Sequence, residues 1–218
     1  MDQDPAIIKL DPSALLHADL TGEPRADLLA EILDAAEALI APDVMIRMAG
    51  VERLEASDAI RQLPFIAYLL TTRLTEPDIV LRTRIVKALG YASGESMGSQ
   101  KLDASVQKTL IFHLSQIRTR EIFALLQVAE YDKSSEPCIE SLLACCSFAG
   151  GHLSQILSAR DTSLEIRRQA THFIGQLGYL DALPVLERMA SRFETRTNDR
   201  DASLLMELQS AVQQLSAP

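Results

Sequence analysis

Apolar residues recur through most of the chain at the i, i+3, i+4 and i+7 spacing that lines one face of an α-helix. The stretch from Pro24 to Ile40 is an example, and its apolar stripe consists of Leu29, Ile32, Leu33, Ala36 and Ile40. Almost no segment shows the strict alternation of apolar and polar residues that is typical of a half-buried strand. The sequence therefore predicts an all-α protein of roughly ten to twelve helices, too many for a four-helix bundle.

Several residues predict where these helices begin and where the chain leaves them. Pro64 lies inside an apolar stripe, so it either kinks that helix or marks its true start. Asp103 is suited to cap a helix whose inward residues are Val106, Leu110, Leu114 and Ile117. A flexible Gly/Ser-rich insertion is predicted at about residues 92–102. At this point either a second helix is missing or the pairing of the helices changes.

The chain repeats itself when it is compared with a shifted copy of its own sequence. A shift of 35 residues lays Pro42-Asp43-Val44-Met45-Ile46-Arg47 on Pro77-Asp78-Ile79-Val80-Leu81-Arg82. A further shift of 85 residues lays Ile166-Arg167 on Leu81-Arg82 and Gly175 on Gly90. Three copies of one helix pattern predict a repeat protein, in which each unit packs against its neighbours.

The third copy carries the most specific pattern. It reads Ile166-Arg167-Arg168-Gln169-Ala170, then Gly175-Gln176-Leu177-Gly178-Tyr179 and Asp181-Ala182-Leu183-Pro184-Val185-Leu186. This combination resembles the HEAT-like repeats of the phycobilisome-lyase type. The resemblance implies an α-solenoid of about five stacked antiparallel helix pairs, curved and right-handed. It also implies that the second helices of the pairs line the concave surface.

Residues 23–218 are predicted to form a single HEAT-like domain, preceded by an acidic segment at residues 1–22. The chain has a net charge of −9, and its first 40 residues carry nine acidic and two basic side chains. This balance argues against electrostatic attraction to nucleic acid or to anionic membranes. The acidic segment could cap the solenoid, contact a basic partner or keep the protein soluble.

The repeated acidic and basic residues are the first candidates for a role. Asp43 and Arg47, like Asp78 and Arg82, lie four residues apart, so they can pair along one helix or link neighbouring repeats. Arg167 occupies the equivalent position in the third copy. The resemblance implies that these five positions are structural in HEAT-like repeats. A ligand-binding role is the alternative.

No metal, cofactor or catalytic centre is predicted. Cys138, Cys145 and Cys146 fall close together on one helix as small core residues do, without the Cys-x-x-Cys spacing of a zinc site. Phosphate-binding loops and nucleophile elbows are missing from the sequence. The start Met1-Asp2-Gln3-Asp4 does not resemble a secretory signal, and no apolar run suits a bilayer. The odd cysteine number fits a reducing compartment, so a cytoplasmic location is expected.

Candidate binding residues come from the predicted second helices. The resemblance places Arg188 and Arg192 on the second helix of the third copy, and Arg61, Arg120 and Gln155 on other second helices of the same concave surface. We expect a non-catalytic interaction scaffold or adaptor whose partner is another protein or a peptide.

Two other functions stay open. One is a phycobilisome-lyase-like accessory or chaperone subunit, which the same resemblance suggests. The other is a HEAT-like DNA alkylation glycosylase or nucleic-acid binder. The second alternative is disfavoured because such enzymes need a basic, aromatic groove, whereas this chain has no Trp, 5% aromatic residues and a negative net charge.

Overall fold

The computed structural model describes residues 23–93, 102–194 and 199–216. All regular elements in these ranges are helices, which confirms the all-α prediction. The acidic segment at residues 1–22 and residues 94–101 of the predicted insertion lie outside the described residues. The α-helices are α1 (Glu23–Ala38), α2 (Val44–Ala56), α3 (Ala59–Gln62), α4 (Pro64–Thr71), α5 (Ile79–Ser93), α6 (Ala104–Leu114), α7 (Thr119–Tyr131), α8 (Glu136–Ala144), α9 (Ala149–Ser158), α10 (Leu164–Leu177), α11 (Leu183–Glu194) and α12 (Asp199–Ser216).

The helix starts follow the signals in the sequence. Pro64 is the first residue of α4, because its ring fixes the helical φ and needs no intrahelical donor there. Asp43 caps α2 by accepting a hydrogen bond from the Met45 amide at 2.7 Å. Asp103 caps α6 in the same way, through the amide of Ser105 at 2.8 Å. The helix before the predicted insertion, α5, continues to Ser93.

Five helices pack one after another in a row. In the order of the chain they are α2, α5, α7, α10 and α12, and each one contacts the next. We call these the row helices.

The row helices α5 and α7 run in the same direction, as do α10 and α12. Arg82 of α5 contacts Gln127 of α7, and Lys87, further along α5, contacts Asp132 just after α7. Both contacts advance together along the two helices, which is the register of a parallel pair. The bonds from α10 to α12 advance in the same way.

The remaining helices flank the row. α1 packs antiparallel on α2, α4 packs on α6, and α8 packs on α5. α9 contacts both α7 and α10, whereas α11 packs mainly on α12. A continuous cluster of buried apolar side chains joins these layers, and its largest fully buried members include Leu54, Leu70, Leu89, Leu125 and Phe173. None of the helices that the structure describes is long and apolar enough to cross a bilayer.

Two equivalent glycines allow helices to approach closely. A Cβ on Gly90 would lie 2.6 Å from the Cα of Cys138, so α8 could not pack as it does on α5. A Cβ on Gly175 would lie 3.2 Å from the Cα of Ala211 on α12. These two glycines are aligned with each other in the sequence repeat. Gly90 lies where the flanking helix α8 contacts α5, and Gly175 lies where the next row helix, α12, contacts α10.

Candidate functional site

The repeated arginines all bind the turn that precedes their own helix. Arg47 donates to the carbonyls of Ala41 and Pro42, each at 2.8 Å. Arg82 donates through Nε to the carbonyl of Glu76 at 2.6 Å.

The third repeated arginine makes the same kind of contact. Arg167 donates to the carbonyl of Ala159 at 2.7 Å and to that of Arg160 at 3.3 Å. In each copy the guanidinium satisfies carbonyls that follow the preceding helix and fixes the entry into the next one.

Asp43 and Asp78 do not pair with the arginine of the same repeat. Asp78 accepts a hydrogen bond from the Leu81 amide at 2.8 Å, so it serves its own helix start, as Asp43 does. Ser163 takes this place in the third copy and accepts from the Ile166 amide at 3.2 Å. The Asp or Ser and the Arg therefore stabilise opposite sides of the same turn.

A buried carboxylate links the first two copies. Glu76 is only 3% exposed, and its Oε1 accepts a hydrogen bond from Arg47 at 2.6 Å. The backbone carbonyl of the same residue accepts from Arg82. Burial lowers the pKa of Arg82, while the charges of Glu76 and Asp78 oppose that shift. Glu76 thus connects the start of α2 with the start of α5.

Of the five predicted binding residues, Gln155 contacts the side chain of Thr119, the residue that precedes Arg120. The hydroxyl of Thr119 lies 2.8 Å from Oε1 of Gln155 and 2.9 Å from Nδ1 of His152. Because the amide oxygen can only accept, the hydroxyl donates to it and accepts from the Nδ1–H of His152. Arg120 follows Thr119 in the first turn of α7 and is exposed.

Arg188 and Arg192 lie one turn apart on α11, and both side chains are exposed. α11 packs on α9, which carries Gln155, and α9 packs on α7, which carries Arg120. The three helices therefore bring four of the five predicted residues onto consecutive packed elements. We call the set of Arg120, Gln155, Arg188 and Arg192, with Thr119 and His152, the α7–α9–α11 surface.

The fifth predicted residue lies elsewhere. Arg61 is on the short helix α3, with its Nε 4.0 Å from a carboxylate oxygen of Asp58. The main neighbours of α3 are α2, α4, α5 and α6, so Arg61 belongs to the other end of the chain.

The helix that carries Arg120 also differs from its expected position. It was predicted as a second helix, but α7 packs between α5 and α10 as one of the row helices. The reason is that α6 packs on α4, whereas α7 contacts both α5 and α10. Arg120 nonetheless lies in the first turn of α7, next to Thr119, which contacts His152 and Gln155 of α9.

The surroundings of the cysteines oppose covalent chemistry. Cys138 and Cys146 are buried, Cys145 is half-buried, and all three are free thiols. Burial raises the pKa of each thiol, which keeps it protonated and weakly nucleophilic at neutral pH. Within the described ranges, no group of three or more His, Cys, Asp or Glu side chains could hold a metal ion.

The histidines fill different roles. His113 packs its ring 4.5 Å from the ring of Tyr68, and burial lowers the pKa of His113. His172 is exposed beside Phe173. His152 joins the α7–α9–α11 surface through Thr119, a role that the sequence did not suggest. The signal for this role in the sequence was the three-residue spacing of His152 and Gln155, which places both side chains on one face of a helix.

Comparisons with protein-family models, with curated proteins and with solved structures found no match to this chain.

Proposed function

We propose that this protein is a non-catalytic interaction scaffold, a HEAT-like α-solenoid that binds another protein or a peptide on its α7–α9–α11 surface. The observation that supports it is the row α2, α5, α7, α10 and α12, whose neighbours are parallel where polar contacts register them. A row of this kind is the frame of a stacked repeat array, which presents an extended surface on its flanking helices without a catalytic centre.

The chemistry of the surface suits peptide recognition. Arg120, Arg188 and Arg192 offer cationic donors that match carboxylates of a partner, since guanidinium groups bind carboxylates through paired hydrogen bonds. The Thr119 network holds Gln155 and His152 in fixed orientations, so their remaining donors and acceptors are available for a peptide backbone. Fixed polar groups reduce the conformational entropy lost on binding.

We assign this interaction to the cytoplasm. The support is chemical: the number of cysteines is odd, all three lie close together in sequence, and two of them belong to the core.

The test is affinity capture of the tagged protein from a native lysate at physiological salt, with mass spectrometry and an absorbance scan of the eluate. We expect one protein in near-stoichiometric amount with the wild type, and its loss with the double variant Arg188→Glu/Arg192→Glu. The matched control, Lys108→Glu/Lys133→Glu, makes the same change of charge at exposed lysines on other elements. Thermal melting of each variant verifies that the fold is intact.

Other results would count against the proposal. Equal recovery of the partner by both double variants would remove the α7–α9–α11 surface from the interaction. An eluate without a partner would contradict a stable adaptor, and visible tetrapyrrole absorbance would favour a lyase-like accessory role instead.

A further inference from the structure

A second open surface lies at the α1 end of the molecule. α1 packs mainly on α2, and Leu28 and Leu33 remain 42% and 48% exposed on its two sides. On the Leu28 side, α1 and α2 enclose a groove of about 270 Å³. Its walls are formed by Leu28, Glu31, Ile32, Arg53, Ala56 and Ser57. The apolar floor of this groove can receive a large apolar side chain.

The rim of the groove and the outer face of α1 are acidic. Asp27, Glu31, Asp34 and Glu37 are all exposed, and the sequence contains no Lys, Arg or His between Asp27 and Ile46. Among the described side chains, none lies within ion-pair distance of these four carboxylates. By contrast, Arg84 of α5 neutralises two carboxylates of α2.

The one base at the groove is already engaged. Arg53 of α2 donates from Nη2 to the backbone carbonyl of Glu31 at 3.0 Å, which ties the two walls of the groove together. The single positive charge of Arg53 therefore lies beside Glu31, and the four carboxylates of α1 still outnumber it.

The charge around this groove indicates which kind of segment can bind there. Residues 1–22 contain four Asp and one Lys, so this segment carries the same sign of charge as α1. A second copy of the chain docked by the same face would also place acidic side chains against acidic side chains, which is costly. A basic segment gains attraction from the four carboxylates and buries its apolar side in the groove.

We propose that the α1–α2 groove binds a basic amphipathic helical segment of a partner protein. An apolar side chain of that segment occupies the space beside Leu28 and Ile32, and its Lys or Arg side chains face Asp27, Glu31 and Asp34. This surface is separate from the α7–α9–α11 surface, so the two proposals succeed or fail independently.

The test uses fluorescence anisotropy with the full chain and a labelled 14-residue peptide of Lys and Leu that forms a basic amphipathic helix. We expect saturable binding that weakens at least tenfold in Leu28→Ser/Glu31→Lys. The matched control is Leu180→Ser/Glu187→Lys, which changes an exposed leucine and an exposed glutamate near α11 and should bind as the wild type does. Asp27→Asn/Asp34→Asn, which leaves the apolar groove unchanged, should weaken binding several-fold and reduce its salt dependence.

Three results would overturn the inference. One is equal affinity of the groove variant and the control variant. Another is equal binding of a peptide with the same composition but without an apolar face. The third is a dimer in sedimentation velocity that Leu28→Ser/Glu31→Lys dissociates, because it would assign the groove to a second copy of the chain.

Discussion

Glu76 joins the start of α2 to the start of α5 through Arg47 and Arg82. Replacing it by Ala removes the carboxylate that faces Arg47 and leaves that guanidinium without its ionic partner. Because loss of one member of a buried pair leaves an uncompensated charge, we expect the free energy of unfolding to fall by about 3 kcal/mol. Urea denaturation followed by circular dichroism measures this change.

The control for this prediction is an exposed ion pair. Glu52 contacts Arg84 at 2.5 Å, and its side chain is 50% exposed. Glu52→Ala should cost less than about 1 kcal/mol, because exposed pairs contribute little. Equal costs for the two substitutions would show that burial at Glu76 does not matter.

His113 should make the stability depend on pH. Burial lowers the pKa of His113 in the folded protein, so the unfolded chain binds a proton more readily than the folded chain does. The fold is therefore expected to lose stability as the pH falls through the pKa of unfolded histidine, at about 6.5.

Comparison of two variants isolates this effect from the titration of the carboxylates. Between pH 7.5 and pH 5.5, the urea midpoint of His113→Gln should fall less than that of the wild type. The exposed residue His172 gives the control, since His172→Gln should follow the wild type. Identical pH profiles for all three proteins would contradict a role for the burial of His113.

Single residues were predictable where their role is local. Asp103 caps its helix and Pro64 begins one, because such signals depend only on neighbours in the chain. The Thr119 network was not predictable, since it joins residues 33 and 36 positions apart on α7 and α9. The ion pair of Arg47 with Glu76 was missed for the same reason, although an arginine at this position was expected to be structural.

The pairing of α5 with α8 gives a test at the level of helices. In Gly90→Ala the new methyl group would meet the backbone of Cys138, and neither helix can yield without moving away from the other. We expect a loss of about 1 to 3 kcal/mol, the usual cost of overpacking a core. Urea denaturation of the variant and the wild type measures it.

Gly151 on α9 is the matched control. A Cβ there would meet only a carboxylate oxygen of Asp181, at 4.0 Å, and the position is exposed in a helix. Gly151→Ala should therefore be neutral or stabilising, because Ala has the higher helix propensity. Stabilisation of the protein by Gly90→Ala as well would mean that α5 and α8 are not in close contact.

The all-α class and the approximate number of helices could be predicted from apolar spacing, but the partners of each helix could not. The self-comparison aligned α2, α5 and α10, three helices that share an Arg near the start. The shared Arg is the fourth residue of each helix, whereas α7 joins the same row with Ile122 at that position. The contact of α7 with Arg82 comes from Gln127, a residue with no distinctive pattern. The position of a helix in the row is set by packing between segments that are far apart in the chain. The spacing of apolar residues along one helix carries no information about such contacts.

For the whole molecule, the proposed array makes stability a local property. Each unit of a stacked array is held mainly by its neighbours, so an end unit opens more readily than a central one. α1 packs mainly on α2, whereas α5 contacts α2, α4, α7 and α8. A protein that unfolds only as a whole would instead open its helices together in one global transition.

Native-state hydrogen exchange, followed by mass spectrometry at increasing urea below the unfolding transition, distinguishes these two cases. We expect amides of α1 to exchange with the smallest free energy of opening, those of α2 with a larger one, and those of α5 and α7 with the largest. The same free energy of opening for α1, α2, α5 and α7 would contradict a stacked array and the extended binding surface that depends on it.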